Sequence, residues 1–121
     1  MGSKSDATYM EKALTEIELI RQFTNELTYE QFVDDIETMY ATMFALQQLV
    51  EHIKNLSVEF KENHNEIPWT EIVGFRNRIV HEYGKTDYTT VYETITKDIY
   101  QLKELFENSL LYDSAKKTDT I

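Results

Sequence analysis

The stretch Ile67-Pro68-Trp69-Thr70-Glu71-Ile72-Val73-Gly74-Phe75-Arg76-Asn77-Arg78-Ile79-Val80-His81-Glu82-Tyr83 decides how the chain is read. Pro68 suits the first turn of a helix, where its missing N–H costs nothing. Gly84 suits the residue just past the end, where positive φ is wanted. The segment is therefore predicted to be a helix from about Pro68 to Tyr83. At about 100° per residue, Trp69, Ile72, Val73, Phe75, Ile79, Val80 and Tyr83 share one broad apolar face, and Arg76 falls in its middle. A guanidinium on a core stripe must be paired, open onto a polar cleft, or snorkel at the edge. Gly74, Asn77 and His81 form a flanking strip, with Asn77 and His81 one turn apart. A glycine there would let another backbone approach closely.

The segments on either side are also helical in pattern. Met10, Ala13, Leu14, Ile17, Ile20 and Phe23 recur at helical spacing and predict a first helix from about Ala7 to Glu26. Thr28 followed by Gln31 has the form of a capping box that opens a new helix. From Phe32, the positions Ile36, Met39, Tyr40, Met43, Phe44, Leu46, Val50, Ile53 and Leu56 define one long central helix with an apolar face. Asp34, Asp35 and Glu37 lie near its start, where acids favour the macrodipole, so they read as helix-start residues rather than as a metal cluster.

A polar stretch between Ser57 and Glu66 reads as a short helical turn and a loop. Asp87 can cap a last helix whose stripe runs Tyr88, Val91, Tyr92, Ile95, Ile99, Leu102, Leu105, Phe106 and Leu110. Antiparallel packing of that helix against the motif helix is the simplest arrangement. The expectation is an all-α, up-and-down bundle of roughly four to five helices. Residues 1–6 are read as a flexible N-terminus, 7–111 as the helical domain and 112–121 as a disordered tail.

Composition narrows the functional classes. A chain of 121 residues with 41% hydrophobic content makes one domain with a real core, and three glycines and one proline argue against a turn-rich β architecture. With no cysteine there is no disulfide framework, thiolate nucleophile or Cys-based zinc site, which suits a reducing cytoplasm. His52 and His64 have no metal partners at ligand spacing, and no glycine-rich phosphate loop or zinc-protease pattern is present. No apolar run approaches the roughly eighteen residues of a membrane span, no signal peptide is present, and Asp6 stands where a myristoylation signal needs Ser or Thr.

The formal charge of -10 argues against nucleic-acid binding, which normally leaves a basic footprint. Its distribution softens the objection. Residues 72–90 sum to +1, from Arg76, Arg78 and Lys85 against Glu82 and Asp87, so the remainder carries -11. Glu51, a carboxylate beside an apolar periodicity, either pairs with Arg76 through a charge-assisted bond or faces water.

Arg76 to Tyr83 reads as Arg, four residues, His, one residue, Tyr, with Asn directly after the Arg. This run resembles the signature of the HEPN superfamily, specifically the HepT-like toxins of HEPN/MNT toxin–antitoxin pairs. Ile67-Pro68-Trp69 and Gly74 fit the same pattern, and the resemblance covers roughly Tyr9 to Leu110. There is one departure. Where the family commonly has Gly-Glu-Ala in its central helix, this chain has Val50-Glu51-His52, which keeps the acid and loses its small neighbours.

The resemblance implies a HEPN-like fold and a metal-independent endoribonuclease without cofactors, in which the ribose 2′-OH attacks the adjacent phosphate. It implies proton transfer by His81 and a cation at the phosphate from Arg76. Asn77 would orient His81 or the phosphate, and Arg78 would hold the RNA backbone. It further implies an isologous dimer with Gly74, Asn77 and His81 near the partner, which would let two positive islands converge. Tyr83 would be the residue to which a partner MNT nucleotidyltransferase antitoxin attaches AMP; the helical wheel equally allows it simply to pack. Two other readings stay open: a HEPN binding module without nuclease activity, serving as the substrate-binding partner of a nucleotidyltransferase, and a helical dimer with only an interaction role.

Overall fold

Helix α1 (Gly2–Thr24) is held by Met10, Ala13, Ile17 and Ile20, all fully buried and spaced three or four apart so that they stay on one side. The computed structural model describes residues 2–80 and 88–119, with side chains for residues 5–75 and 88–110. The helix begins at Gly2, earlier than the expected Ala7. Asp6, read from sequence as part of a flexible leader, is 3% exposed, and its carboxylate accepts hydrogen bonds from Ser57. At the other end Thr24 bonds back to the Ile20 carbonyl, and Glu26 turns the chain with φ of 60°.

The expected capping box is present. Thr28 Oγ1 accepts from the Gln31 N–H while Gln31 Oε1 accepts from the Thr28 N–H, and this box opens α2 (Tyr29–Asp34). The single long helix expected from Phe32 is instead broken at Asp35. There the backbone leaves the helical region (φ -101°, ψ 91°), ending α2 and starting α3 (Ile36–Lys54). The Asp35 carboxylate accepts from Thr38 N at 3.1 Å and Thr38 Oγ1 at 2.7 Å. These bonds satisfy a donor that the helix start leaves unpaired, so the side chain ends one helix and caps the next.

A second correction concerns the faces of α3. Met39, Ala45, Leu46, Leu49, Val50 and Ile53 are buried, whereas Ile36, Tyr40 and Phe44, assigned from sequence to the same apolar face, are 61%, 68% and 63% exposed. Helix α3 lies antiparallel to α1, because Asp6 near the start of α1 pairs with Ser57 just past the end of α3, whereas Glu16, further along α1, pairs with the earlier His52. Ser57 also caps the short α4 (Val58–Asn63), and α5 (Trp69–Val80) follows after a turn.

The last segment comprises α6 (Tyr88–Glu93), a π-helical turn (Thr94–Asp98) and α7 (Ile99–Asp119). Val91, Ile95 and Ile99 are all buried at successive intervals of four. On a straight α-helix each such interval overshoots a turn by about 40°. The wider turn, closed by the Ile99 N–H on the Thr94 carbonyl, restores their alignment with the core. Tyr92 anchors this segment to α2, donating its hydroxyl to the Leu27 carbonyl at 2.6 Å and packing against Tyr29 and Phe32. Helix α7 packs on α1, where Arg21 lies over the Tyr100 ring, and its helical backbone continues to Asp119, past Asp113 where fraying was expected. Among the described residues there is no strand, and the architecture is an all-α, HEPN-like bundle.

Candidate functional site

The motif helix α5 is positioned at its N-terminus by Trp69. The indole Nε1 donates to both the Lys61 and His64 carbonyls at 3.1 Å, tying the start of α5 to the end of α4. Its ring stacks on Phe106 of α7, with centroids 6.1 Å apart and planes at 24°, and meets Phe60 edge-on. Ile67, 1% exposed, plugs the core just ahead of it, and the Ile72 N–H bonds to the Pro68 carbonyl to close the first turn. Pro68 thus stands immediately before the helix, one position outside the expected start.

Trp69, Ile72, Val73 and Phe75 pack against the core as the wheel predicts. Gly74 faces the other way: no described atom lies within 4 Å of the place a Cβ would take. Beyond Trp69 the helix separates from α7. A cleft of about 270 Å³ opens between Ile72 and Phe75 on one side and Leu102 and Leu105 on the other, with Leu46, Leu49 and Val50 of α3 in its lining. Glu71 and Asp98 also line it. The expected antiparallel contact between motif helix and last helix is therefore made at the Trp69–Phe106 end, and a cleft takes its place further along. Sequence reading did not foresee that cleft, because a hydrophobic wheel shows which side chains turn inward but not how far apart two helices stand.

Arg76, Asn77 and Arg78 lie on the α5 backbone, toward its C-terminal end; their side chains lie outside the described residues. His81 and Tyr83 lie outside the described residues altogether, as do Gly84 and Asp87, the expected stop and cap. Glu51 sits on α3 with its side chain 47% exposed, and its described neighbour is Lys54 Nζ at 4.0 Å. An exposed pair of that length contributes little.

The residues flanking Glu51 are accommodated without small side chains. Val50 is buried at 3% exposure, and His52 turns toward α1, where its Nε2 stands 3.4 Å from Glu16 Oε2 beneath the Tyr9 ring. His64, 4% exposed, packs on Phe60 and faces Glu66 at 3.6 Å. Both histidines thus have structural surroundings, and among the described residues no group of three His, Cys, Asp or Glu could hold a metal ion. No helix among those residues is long and apolar enough to cross a membrane.

The frame around the motif helix is matched by a known family. Residues 13–109 match the family described as Ribonuclease HepT-like, a span running from the middle of α1 almost to Leu110 and including the whole motif helix. The chain belongs to this family. The HEPN resemblance read from Arg76 to Tyr83 is thereby shown, and membership places the chain among the ribonucleases. A Thermococcus cleftensis protein named "Probable ribonuclease HepT" is 38% identical over 104 residues, covering 86% of this chain and 94% of that protein. A protein of Caldanaerobacter subterraneus subsp. tengcongensis named "Putative RNase" is 36% identical over 101 residues, covering 84% of this chain and 90% of its own length. No solved structure matches the chain. The HepT-like match spans the Val50-Glu51-His52 departure, so the larger neighbours of Glu51 are a variation within the family frame.

Proposed function

We propose that this HepT-like chain is a metal-independent endoribonuclease, the toxin of a HEPN/MNT toxin–antitoxin pair, and that it acts as a homodimer. The observation carrying this reading is the family match over residues 13–109, which includes the intact Arg76–His81–Tyr83 run. In the proposed reaction the ribose 2′-oxygen forms a bond to the adjacent phosphorus and the bond to the 5′-oxygen breaks. One product end carries a 2′,3′-cyclic phosphate and the other a 5′-hydroxyl. His81 serves the proton transfers and Arg76 neutralises the charge that develops on the phosphorane oxygens. Asn77 orients His81 or the phosphate, and Arg78 holds the RNA backbone. Glu51, on the neighbouring α3, is the candidate carboxylate partner of Arg76.

The cleft is proposed to form between two copies of the motif helix about a two-fold axis, so that two locally positive segments meet. Tyr83 is the proposed site at which a nucleotidyltransferase antitoxin attaches AMP, adding charge and bulk beside the cleft. The chemistry described takes place in the cytoplasm, where RNA is the available substrate.

The net charge of -10 favours a second reading, a non-catalytic HEPN module that presents substrates to a nucleotidyltransferase. One assay separates the two. RNA is incubated in EDTA with wild type and with His81→Ala, and product ends are examined for a cyclic phosphate. Cleavage that disappears with His81 supports the nuclease; no cleavage by folded, unmodified, dimeric wild type overturns it in favour of the binding module.

A further inference from the structure

The cleft between α5 and α7 takes no part in the proposed RNA chemistry, and its lining is not that of a phosphate site. Its floor and walls are apolar, from Leu46 and Val50 of α3 to Phe75 of α5 and Leu102 of α7. Its polar lining residues Glu71, Asp98 and Gln101 are exposed and so form the rim. At about 270 Å³ it falls just under the size of sites for drug-sized ligands, which are likewise apolar with a few placed polar groups.

The two carboxylates stand toward opposite ends of the cleft. From the Trp69–Phe106 stack, α5 runs forward to Phe75 while α7 runs back to Ile99. Asp98 lies eight residues from Phe106 and Glu71 two residues from Trp69. At about 1.5 Å per residue these are roughly 12 Å and 3 Å from the stack, which separates the carboxylates by about 9 Å along the cleft. Among the described residues no cation pairs with either of them, and no Lys, Arg or His lines the cleft.

This pattern selects the occupant by charge and polarity. Two carboxylates at the rim repel phosphate and attract cations. The apolar floor between them favours methylene groups over a hydrated ion. A cavity of this volume admits an alkyl chain and is too small to seat a helix, about 10 Å across.

We propose that the cleft binds an α,ω-diamine, with one ammonium group at Glu71, the other at Asp98 and the alkyl chain over Val50, Phe75 and Leu102. A bound diamine ties the motif helix to the start of α7.

Calorimetric titration without RNA tests the proposal. 1,6-Diaminohexane, whose extended length suits the spacing, is expected to bind at one site per chain with a Kd of about 1 mM or tighter. Hexylamine should bind at least about threefold more weakly, for want of the second ion pair. 1,6-Hexanediol, which lacks both charges, should give no binding. Glu71→Gln and Asp98→Asn should each weaken the diamine about threefold, bringing it level with hexylamine. Glu59→Gln, at an exposed position on α4, should change nothing. Absence of diamine binding overturns the proposal. So does a diamine no tighter than hexylamine, or equal weakening by Glu59→Gln, since either result reflects only general attraction to an acidic chain.

Leu102→Trp, which fills the cleft, should abolish binding. If that variant fails to fold, methyl resonances of the wild type replace it. The diamine should shift Ile72 and Leu102 and leave Ile17 of α1 unmoved; an unmoved Leu102, or an equal shift at Ile17, again overturns the proposal. Binding is read without cleavage, so its failure leaves the nuclease reading standing, and an inactive chain that binds the diamine refutes the nuclease reading alone.

Discussion

Ser57 donates both its backbone N–H and its hydroxyl to the Asp6 carboxylate, at 2.8 Å and 2.7 Å. The same hydroxyl oxygen accepts the Phe60 N–H at 3.0 Å, so one side chain caps α4 and is held in place by the beginning of α1. Asp6→Ala is expected to lower unfolding stability by about 2 kcal/mol, since it removes two bonds to a charged acceptor and leaves their donors short of a partner. Urea denaturation measures this directly. A shift no larger than that of an exposed-site control would show that the pair contributes nothing.

Trp69→Phe keeps a ring over Phe106 and deletes only the N–H that bridges the Lys61 and His64 carbonyls. The expected cost is about 1–2 kcal/mol. Because the lost bonds seat the first turn of α5, hydrogen-exchange protection of the Ile72 amide should fall more than that of Ile17 in α1. Equal loss at both amides would mean that Trp69 supports the whole bundle rather than the motif helix in particular.

Asp35 predicts an acid limb of stability. The backbone N–H and then the hydroxyl of Thr38 hold its carboxyl below the ordinary value of 3.8. A carboxyl depressed in the folded state contributes stability that is complete above its unfolded value and is lost as pH falls through the lower folded one. Thermal midpoints of wild type and Asp35→Ala should therefore differ at neutral pH and converge in strong acid, below 3.8. A gap that persists unchanged into acid would contradict the capping role.

The proposed chemistry predicts distinct losses at two motif residues. Arg76→Ala should reduce cleavage about a hundredfold or more, the scale of removing a group that stabilises transition-state charge, without changing the dimer's sedimentation. Tyr83→Phe should retain cleavage and lose labelling from radioactive ATP in the presence of a nucleotidyltransferase partner. Persistent labelling of Tyr83→Phe would move the modification to another residue.

Local patterns carried much of the fold. The Thr28–Gln31 box, the inward positions Met10, Ala13, Leu14, Ile17 and Ile20 of α1 and the core-facing Trp69, Ile72, Val73 and Phe75 of α5 each depend on a few neighbours along the chain and are present as read, whereas Phe23, assigned to the same stripe of α1, is 37% exposed at the helix's last turn. The break at Asp35 escaped because its flanks keep the apolar periodicity of one long helix. Only the competition between the aspartate side chain and the helical backbone for the Thr38 N–H marks it. Ile36, Tyr40 and Phe44 were misplaced for a related reason: α3 is apolar around most of its circumference, and periodicity cannot say which side a neighbouring helix will cover. The candidate site was legible as a residue pattern, Arg76 to Tyr83, because its identity rests on residue types and spacing.

By itself the sequence determined the helical class, the Thr28–Gln31 capping box, the family and the residues proposed for chemistry, all of which follow from contacts or patterns within a few turns. Tertiary structure alone decided the rest: the anchoring of α1 by Ser57, the seating of α5 by Trp69 on Phe106, the cleft beside α5 and the exposed stripe on α3. These depend on which surfaces meet between segments far apart in the chain. That choice reflects the summed packing of the whole core, and no local window contains it.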